Sequence, residues 1–115
     1  LPLTEATRDI LNAELFSRMP EGSSLIQIGR GEHLVEADLL AAMDAGHVRS
    51  ATLDVFRQEP LPPDHPFWTR PDILITPHKA SDANRGEIMR QLIENCMDHR
   101  AGRPPAGLVN RAAGY

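Results

Sequence analysis

Apolar residues recur at helical spacing in two segments of the first half of the chain. Those between positions 10 and 16 predict a short helix that Asn12 caps and that ends before Pro20. A second apolar stripe covers positions 35–45, and Gly46 follows it where a left-handed residue commonly ends a helix. Each segment therefore predicts an amphipathic helix that packs one face against a core.

The clearest helical pattern lies in the last third of the chain. It spans positions 82–101, with Ser81 as the expected N-cap and Gly102 at its end. Its apolar residues form one stripe at paired four-residue intervals: Ile88, Met89, Leu92, Ile93, Cys96 and Met97. We interpret Cys96 as a packing residue of this stripe. The residues after position 102 show no periodicity and predict an irregular tail.

Three short apolar runs, at positions 24–28, 50–56 and 73–76, predict β-strands. Positions 59–66 hold four of the ten prolines and are expected to be irregular. Helices that alternate with strands in this way are typical of a parallel sheet covered by helices. The fold class is therefore predicted as α/β, with three parallel strands and flanking helices.

Three strands are few for a sheet whose faces and edges must all be covered. A small complete α/β domain is one explanation, and the C-terminal half of a Rossmann-type doubly wound sheet is the other, which we favour. The first strand lacks the lysine or proline that blunts natural edges. We expect it to lie at an edge of this sheet and to pair with a strand outside these 115 residues, in a missing N-terminal half or another chain.

Composition and charge narrow the classes of function. The chain has 12 Lys and Arg against 16 Asp and Glu, and a net charge of −4 argues against nucleic-acid binding. Its apolar runs are too short to span a membrane. A lone cysteine excludes a disulfide framework, and the five histidines lack ligand spacing, so no metal site is predicted. The histidines at positions 33, 47, 65 and 99 are interpreted as structural.

Polar side chains lie at or just beyond the end of each predicted strand. Arg30 comes after the first strand, between two glycines. Asp54 lies near the end of the second strand with Glu59 five residues on, and His78 follows the third. Because parallel strands open onto one edge, where ligands bind, we expect side chains from three neighbouring strands to converge within roughly 10 Å. Arginine, carboxylate and imidazole together can hold an anionic substrate and transfer one proton.

The glycines around Arg30 invite comparison with the dinucleotide-binding fingerprint. The third glycine of that pattern is replaced by Leu34, and the helical pattern begins only near Val35. A charged side chain between the glycines is also unsuited to a pyrophosphate held by bare backbone. The fingerprint interpretation is therefore disfavoured.

Four segments of the chain resemble the C-terminal half of the D-isomer-specific 2-hydroxyacid dehydrogenases, which use NAD or NADP. They are LPLTEATRDILNAE (1–14), IQIGRGEHLVEADLLAAMDAGHV (26–48), ATLDVFRQEPLP (51–62) and ILITPHKA (73–80). The proline-rich EPLPPDHPFW and the closing VNRAAGY are most similar to the glyoxylate/hydroxypyruvate reductase A branch. The resemblance implies an oxidoreductase of two domains, active on a small 2-oxo or 2-hydroxy acid as a homodimer in the cytoplasm.

The resemblance also implies roles for particular residues. Arg30 takes the position of the catalytic arginine that binds the substrate carboxylate, His78 that of the acid/base histidine, and Glu59 that of its carboxylate partner. Asp54 matches the aspartate that reaches the nicotinamide carboxamide. Cofactor contacts are implied for Leu1, Pro2, Ile28, Gly29, Arg30, Asp54, His78 and Ala80.

The family pattern assigns residues 1–80 to the second half of the NAD(P)-binding domain. Residues 81–115 are then a crossover helix, with its apolar stripe only partly covered, and a tail that returns to the substrate domain. The features that separate NAD from NADP precede Leu1 in the family, so the choice stays open. A catalytically silent domain of the same fold, which senses dinucleotide or binds another protein, is the alternative. The intact set of Arg30, Glu59 and His78 disfavours it.

Overall fold

The computed structural model describes residues 1–81 and 83–112. The chain divides into two units, Leu1–Ala80 and Ser81–Tyr115. The helices and strands are α1 (Ala13–Arg18), β1 (Ser23–Gln27), α2 (Glu36–Asp44), β2 (Val48–Leu53), β3 (Ile73–Ile75) and α3 (Arg85–Arg100). The predicted start of the third helix at Asp82 and the last three residues of the VNRAAGY motif lie outside the described residues.

The three strands form one parallel sheet in the order β1-β2-β3. This confirms the predicted α/β fold class with three parallel strands. It also confirms that the first strand lies at an edge, because β1 pairs only with β2 within the described part of the chain. Since the strands run the same way, the turns that follow them open onto one edge of the sheet.

The core lies on one face of the sheet, the face on which α2 packs against β2. Leu25, Ala51 and Ile73 are register partners on this face, and all three are buried. The next residues along two of these strands, Ile26 and Leu74, point to the opposite face and are 70% and 60% exposed. The core also contains Phe16, Leu34, Leu39, Met43, Val48, Leu53, Phe56 and Phe67.

The second strand is the one whose predicted boundaries were most in error. β2 ends at Leu53, whereas the apolar run continues to residue 56. Val55 and Phe56 follow the end of β2 and are no longer in the sheet. Their side chains are nevertheless buried, at 1% and 8% exposed, which explains why both residues are apolar. β1 starts and ends one residue earlier than predicted, and β3 ends one residue earlier.

Local sequence signals explain the ends of the first two helices. The predicted cap of α1 is confirmed, since Asn12 Oδ1 accepts a hydrogen bond from the Leu15 N–H at 3.1 Å. Beyond α2, Gly46 has a φ of +76°, a left-handed conformation that glycine adopts without strain. The proline-rich segment is irregular as predicted, apart from a short 3₁₀ turn at Pro66–Thr69 that the sequence did not indicate.

The predicted cap of the third helix was wrong. α3 begins at Arg85, and the side chain of Asn84 caps it by accepting hydrogen bonds from the N–H groups of Gly86 at 2.9 Å and Glu87 at 3.4 Å. Cys96 is exposed within its unit, which contradicts its interpretation as a packing residue. Over residues 1–81 and 83–112, no helix is both long and apolar enough to span a bilayer.

Candidate active site

The turn after β1 presents Arg30 at the carboxyl edge of the sheet. A single 3₁₀ turn, Gly31–His33, follows it directly. A Cβ at Gly31 would lie 1.9 Å from the carbonyl oxygen of Phe56, so only glycine lets this turn approach the chain beyond β2 so closely. The Arg30 side chain is exposed, and its Nη1 donates to the Gly29 carbonyl at 2.8 Å. The guanidinium is therefore accessible to an anionic ligand.

His78 follows β3 and binds Glu59. Its Nδ1 lies 2.9 Å from Oε2 of Glu59, while Oε1 of the same carboxylate accepts from the Phe56 N–H at 2.9 Å. The bond to His78, and next the bond from Phe56, hold the pKa of Glu59 below its usual value. The His78 and Glu59 side chains are 53% and 38% exposed, so solvent weakens their attraction. With Nδ1 bound, Nε2 is the ring nitrogen that remains for proton transfer.

Arg30, Glu59 and His78 line one cavity of about 230 Å³. The structure therefore brings together the three residues that the sequence placed beyond three successive strands. A cavity of this size suits a ligand of a few heavy atoms, since drug-sized molecules occupy roughly 300–1,000 Å³. The other lining residues are Gly31, Glu32, Val55, Phe56 and Arg57.

Asp54 stabilises the loop that carries His78. Its buried carboxylate accepts a hydrogen bond from the Thr76 hydroxyl at 2.5 Å. Two further bonds come from the backbone N–H groups of Lys79 at 2.9 Å and Ala80 at 2.8 Å. The Thr76 hydroxyl is the largest influence that lowers the pKa of Asp54, and burial opposes it. The residues that make these contacts lie on both sides of His78 in the sequence and so fix the loop around it. His78 has a φ of +52°, which is uncommon for a residue other than glycine.

A second cavity, of about 400 Å³, is lined in part by the residues that lead into the Arg30 turn. Leu1, Ile28 and Gly29, all predicted cofactor contacts, line it together. Pro2 lies nearby, because its carbonyl oxygen is 3.3 Å from Nε2 of His33, which also lines this cavity. The predicted cofactor residues thus fall into two groups, because Asp54, directly after β2, binds the backbone of Ala80 in the loop beyond β3 and does not line this cavity.

A third cavity, of about 500 Å³, lies beside the imidazole–carboxylate pair. Glu59 and His78 line part of it. The remaining lining is largely apolar and comprises Phe56, Pro60, Leu61, Trp68, Ile75, Thr76 and Pro77. The pair therefore contributes to both the cavity that holds Arg30 and a more apolar one.

Three residues of this edge were missed by the sequence-based prediction. Thr76 contacts Asp54 as described, while Gln27 and His33 are 5% and 3% exposed and contact the backbone around Arg30. The available signal was a polar residue inside an apolar strand run, at Gln27. Buried polar groups need partners, so such a residue indicates a specific contact.

Within the described ranges, His, Cys, Asp and Glu side chains nowhere gather in threes as they would around a metal ion.

The fold and this edge together define a parallel α/β domain with a candidate ligand site at the carboxyl ends of its strands. Residues 1–80 match the family model described as D-isomer specific 2-hydroxyacid dehydrogenase, NAD binding domain. The chain belongs to that family. Over all 115 residues it is 50% identical to glyoxylate/hydroxypyruvate reductase A of Yersinia enterocolitica serotype O:8 / biotype 1B, and it spans 37% of that relative's length.

Solved structures of 2-hydroxyacid dehydrogenases match the fold of this chain over its full length. A D-isomer specific 2-hydroxyacid dehydrogenase from Xanthobacter autotrophicus Py2, in complex with NADPH and MES, has a TM-score of 0.95 at 43% identity. The match covers 100% of this chain and 48% of that one. An NADPH-dependent glyoxylate/hydroxypyruvate reductase from Sinorhizobium meliloti, in complex with NADP and sulfate, has a TM-score of 0.91 at 38% identity, over 100% and 38% of the two chains.

Proposed function

We propose that the full-length protein reduces a small 2-oxo acid, of the glyoxylate or hydroxypyruvate type, with NADH or NADPH. The observation that carries this proposal is the convergence of Arg30, Glu59 and His78 on one small cavity. An exposed arginine beside a bound imidazole–carboxylate pair provides what a 2-oxo acid requires. One group fixes its carboxylate and the other supplies a proton to its carbonyl oxygen.

Arg30 binds the substrate carboxylate. A guanidinium presents two parallel N–H groups to the two carboxylate oxygens, which fixes the orientation of the acid as well as its position. One arm of Arg30 already donates to Gly29, which limits how far the group can swing. The carbonyl carbon of the acid is thereby held at a fixed distance from the turn.

His78 supplies the proton. Reduction of the carbonyl builds negative charge on its oxygen, and Nε2 of a protonated imidazole neutralises that charge. Glu59 stabilises the protonated ring and fixes its orientation through Nδ1, 2.9 Å away. Glu59 is itself oriented by the Phe56 N–H, so the pair enters the reaction already aligned.

The residues around the second cavity fit a nicotinamide dinucleotide. Leu1 and Ile28 offer apolar contacts for a flat ring. Asp54 does not line this cavity and is 1% exposed, so we assign it to holding the loop that carries His78 and Ala80. When bound, the nicotinamide supplies the hydride. NADPH is the first cofactor to test, because NADPH and NADP occupy the two solved structures cited above. A homodimer in the cytoplasm belongs to the same proposal.

Purified full-length protein tests the proposal directly. Oxidation of NADPH is followed with glyoxylate, hydroxypyruvate and glycolaldehyde, an aldehyde of similar size without a carboxylate. We expect turnover of the two acids and little of glycolaldehyde, because only the acids engage Arg30. Binding of NADPH without turnover of any 2-oxo acid would support the silent, dinucleotide-sensing alternative instead.

A further inference from the structure

We propose that Gln27 and His33 are positioning residues that hold the backbone of Arg30, and that His33 also connects Arg30 to Pro2. This inference rests on the proposed role of Arg30. Neither Gln27 nor His33 lines the cavity that Arg30 shares with His78, although both line the second cavity, so each acts on the substrate only through the arginine.

Gln27 fixes the turn through both ends of its side-chain amide. Its Nε2 donates to the Arg30 carbonyl at 3.0 Å, and its Oε1 accepts from the Gly29 N–H at 3.1 Å. The two contacts demand opposite polarity, so the amide has one orientation that satisfies both. The side chain is 5% exposed, which keeps water from competing for these groups.

His33 holds the other polar group of Arg30. The Arg30 N–H donates to Nδ1 of His33 at 3.3 Å, and the His33 N–H donates to the Arg30 carbonyl at 3.0 Å. Together with Gln27, these bonds engage every backbone hydrogen-bonding group of Arg30. The guanidinium, although exposed, therefore extends from a fixed base.

The second ring nitrogen of His33 reaches the segment predicted to contact the cofactor. Nε2 lies 3.3 Å from the carbonyl oxygen of Pro2. Because Arg30 presents a donor to Nδ1 and Pro2 an acceptor to Nε2, the neutral ring with its proton on Nε2 satisfies both contacts. His33 thus links the segment at Pro2 to the substrate-binding turn through one buried ring.

The packing around Gly29 shows how closely the two side chains fit the turn. A Cβ at Gly29 would lie 3.0 Å from Nδ1 of His33 and 3.3 Å from Oε1 of Gln27. Apolar residues could fill the same space. Burying polar atoms there is costly unless each of them has a hydrogen-bond partner. Gln27 and His33 pair theirs almost entirely with the backbone around Arg30, as expected of residues selected to fix that turn.

Two substitutions in the full-length protein separate the two contacts of His33. His33→Asn keeps an acceptor near the position of Nδ1 but loses the reach to Pro2. His33→Gln keeps a donor near the position of Nε2 but loses the short acceptor for Arg30. We expect His33→Gln to raise the KM for glyoxylate about 3- to 10-fold, the factor that one hydrogen bond contributes. We expect His33→Asn to raise the Kd for NADPH by a similar factor.

Two further variants complete the comparison. Gln27→Met keeps the length of the side chain and loses both polar contacts to the turn, so it should raise the KM for glyoxylate by a factor similar to that of His33→Gln. His47→Asn is the matched control, because His47 also binds a carbonyl, that of Met19 at 2.9 Å, away from this edge. It should change neither constant.

A measurement on the unsubstituted protein does not depend on turnover or on the folding of a variant. The ¹⁵N chemical shifts of the His33 ring should show a proton on Nε2 and none on Nδ1. A proton on Nδ1, or His33 variants that change neither constant, would overturn the positioning role. Absence of 2-oxo acid reduction by the unsubstituted protein would instead refute the proposed function, while the ring shifts and NADPH binding still report on His33.

Discussion

Glu59 binds the imidazole of His78 with one carboxylate oxygen and the Phe56 N–H with the other. The carboxylate therefore links the ring to the chain beyond β2, and its lowered pKa reflects both bonds. A neutral amide in its place would keep an oxygen for Phe56 and lose the negative charge beside the imidazole. The pair can thus be tested by a substitution that leaves the local shape intact.

Glu59→Gln should move the pH optimum for reduction towards lower pH. The pKa of Glu59 is lowered by its bonds to His78 and Phe56, and the amide removes this negative charge from beside the proposed proton donor. A pH–rate profile of the full-length enzyme measures the shift. Glu36→Gln is the matched control, because Glu36 lies 3.4 Å from the imidazole of His65 in a different pair. An unchanged profile in Glu59→Gln would show that Glu59 and His78 do not act as a couple.

Arg30→Lys should lower kcat/KM for 2-oxo acids by about 10- to 100-fold. An ammonium cannot reproduce two parallel hydrogen bonds to a carboxylate, and one charged hydrogen bond contributes roughly 1.5–3 kcal/mol. Steady-state kinetics with glyoxylate measure the loss, and calorimetry should show that NADPH binding is retained. Arg49→Lys, at an exposed position near the start of β2, should have near-normal kinetics. Equal kinetics in the two variants would refute the assignment of Arg30.

Asp54→Asn should lower the free energy of unfolding at neutral pH, by an amount that shrinks in acid. Because the pKa of Asp54 is lowered in the folded state, its contribution is fully present above the unfolded value near 3.8 and is lost as the pH falls through the folded value. Urea unfolding at a series of pH values measures this dependence. Asp64→Asn, in an exposed loop, is the control and should match the unsubstituted protein at neutral pH. A destabilisation by Asp54→Asn that is independent of pH would contradict the account.

Gly31→Ala should destabilise the fold more than Gly46→Ala does. The added methyl group at Gly31 collides with backbone at the Phe56 carbonyl, and overpacking of this kind costs about 1–3 kcal/mol or more. At Gly46 the space is open, so only the left-handed φ of +76° disfavours alanine. Thermal unfolding of the two variants gives the comparison. Equal losses would mean that the turn after β1 can move away from Phe56 at little cost.

Much of the fold could be predicted because periodicity and capping act locally. The apolar runs located all three strands, and Asn12 was recognised as the cap of α1 from its side chain alone. The end of β2 could not be found in this way. Val55 and Phe56 are apolar because their side chains are buried, although they lie beyond the last residue of the strand. The start of α3 was missed for a related reason. Ser81 and Asn84 can both cap a helix, and composition does not decide between them.

The convergence of Arg30, Glu59 and His78 could be anticipated because strand direction alone places them on one edge. The residues that hold them could not. Gln27 and His33 make their contacts with backbone groups of a tight turn, and no spacing rule reports the direction of those groups. A buried polar residue in the sequence signals that a partner exists, and the fold determines which partner it is.

The sequential strand order has a consequence for how the site is assembled during synthesis. Each strand adds to the free edge of the one before it, so none has to be inserted between two strands that are already paired. A chain that folds from its N-terminus as it emerges can extend the sheet in the order in which it is made. Arg30 arrives with β1, Glu59 after β2 and His78 only after β3. A nascent chain therefore acquires His78, the proposed proton donor, last, once the loop that binds Asp54 has left the ribosome.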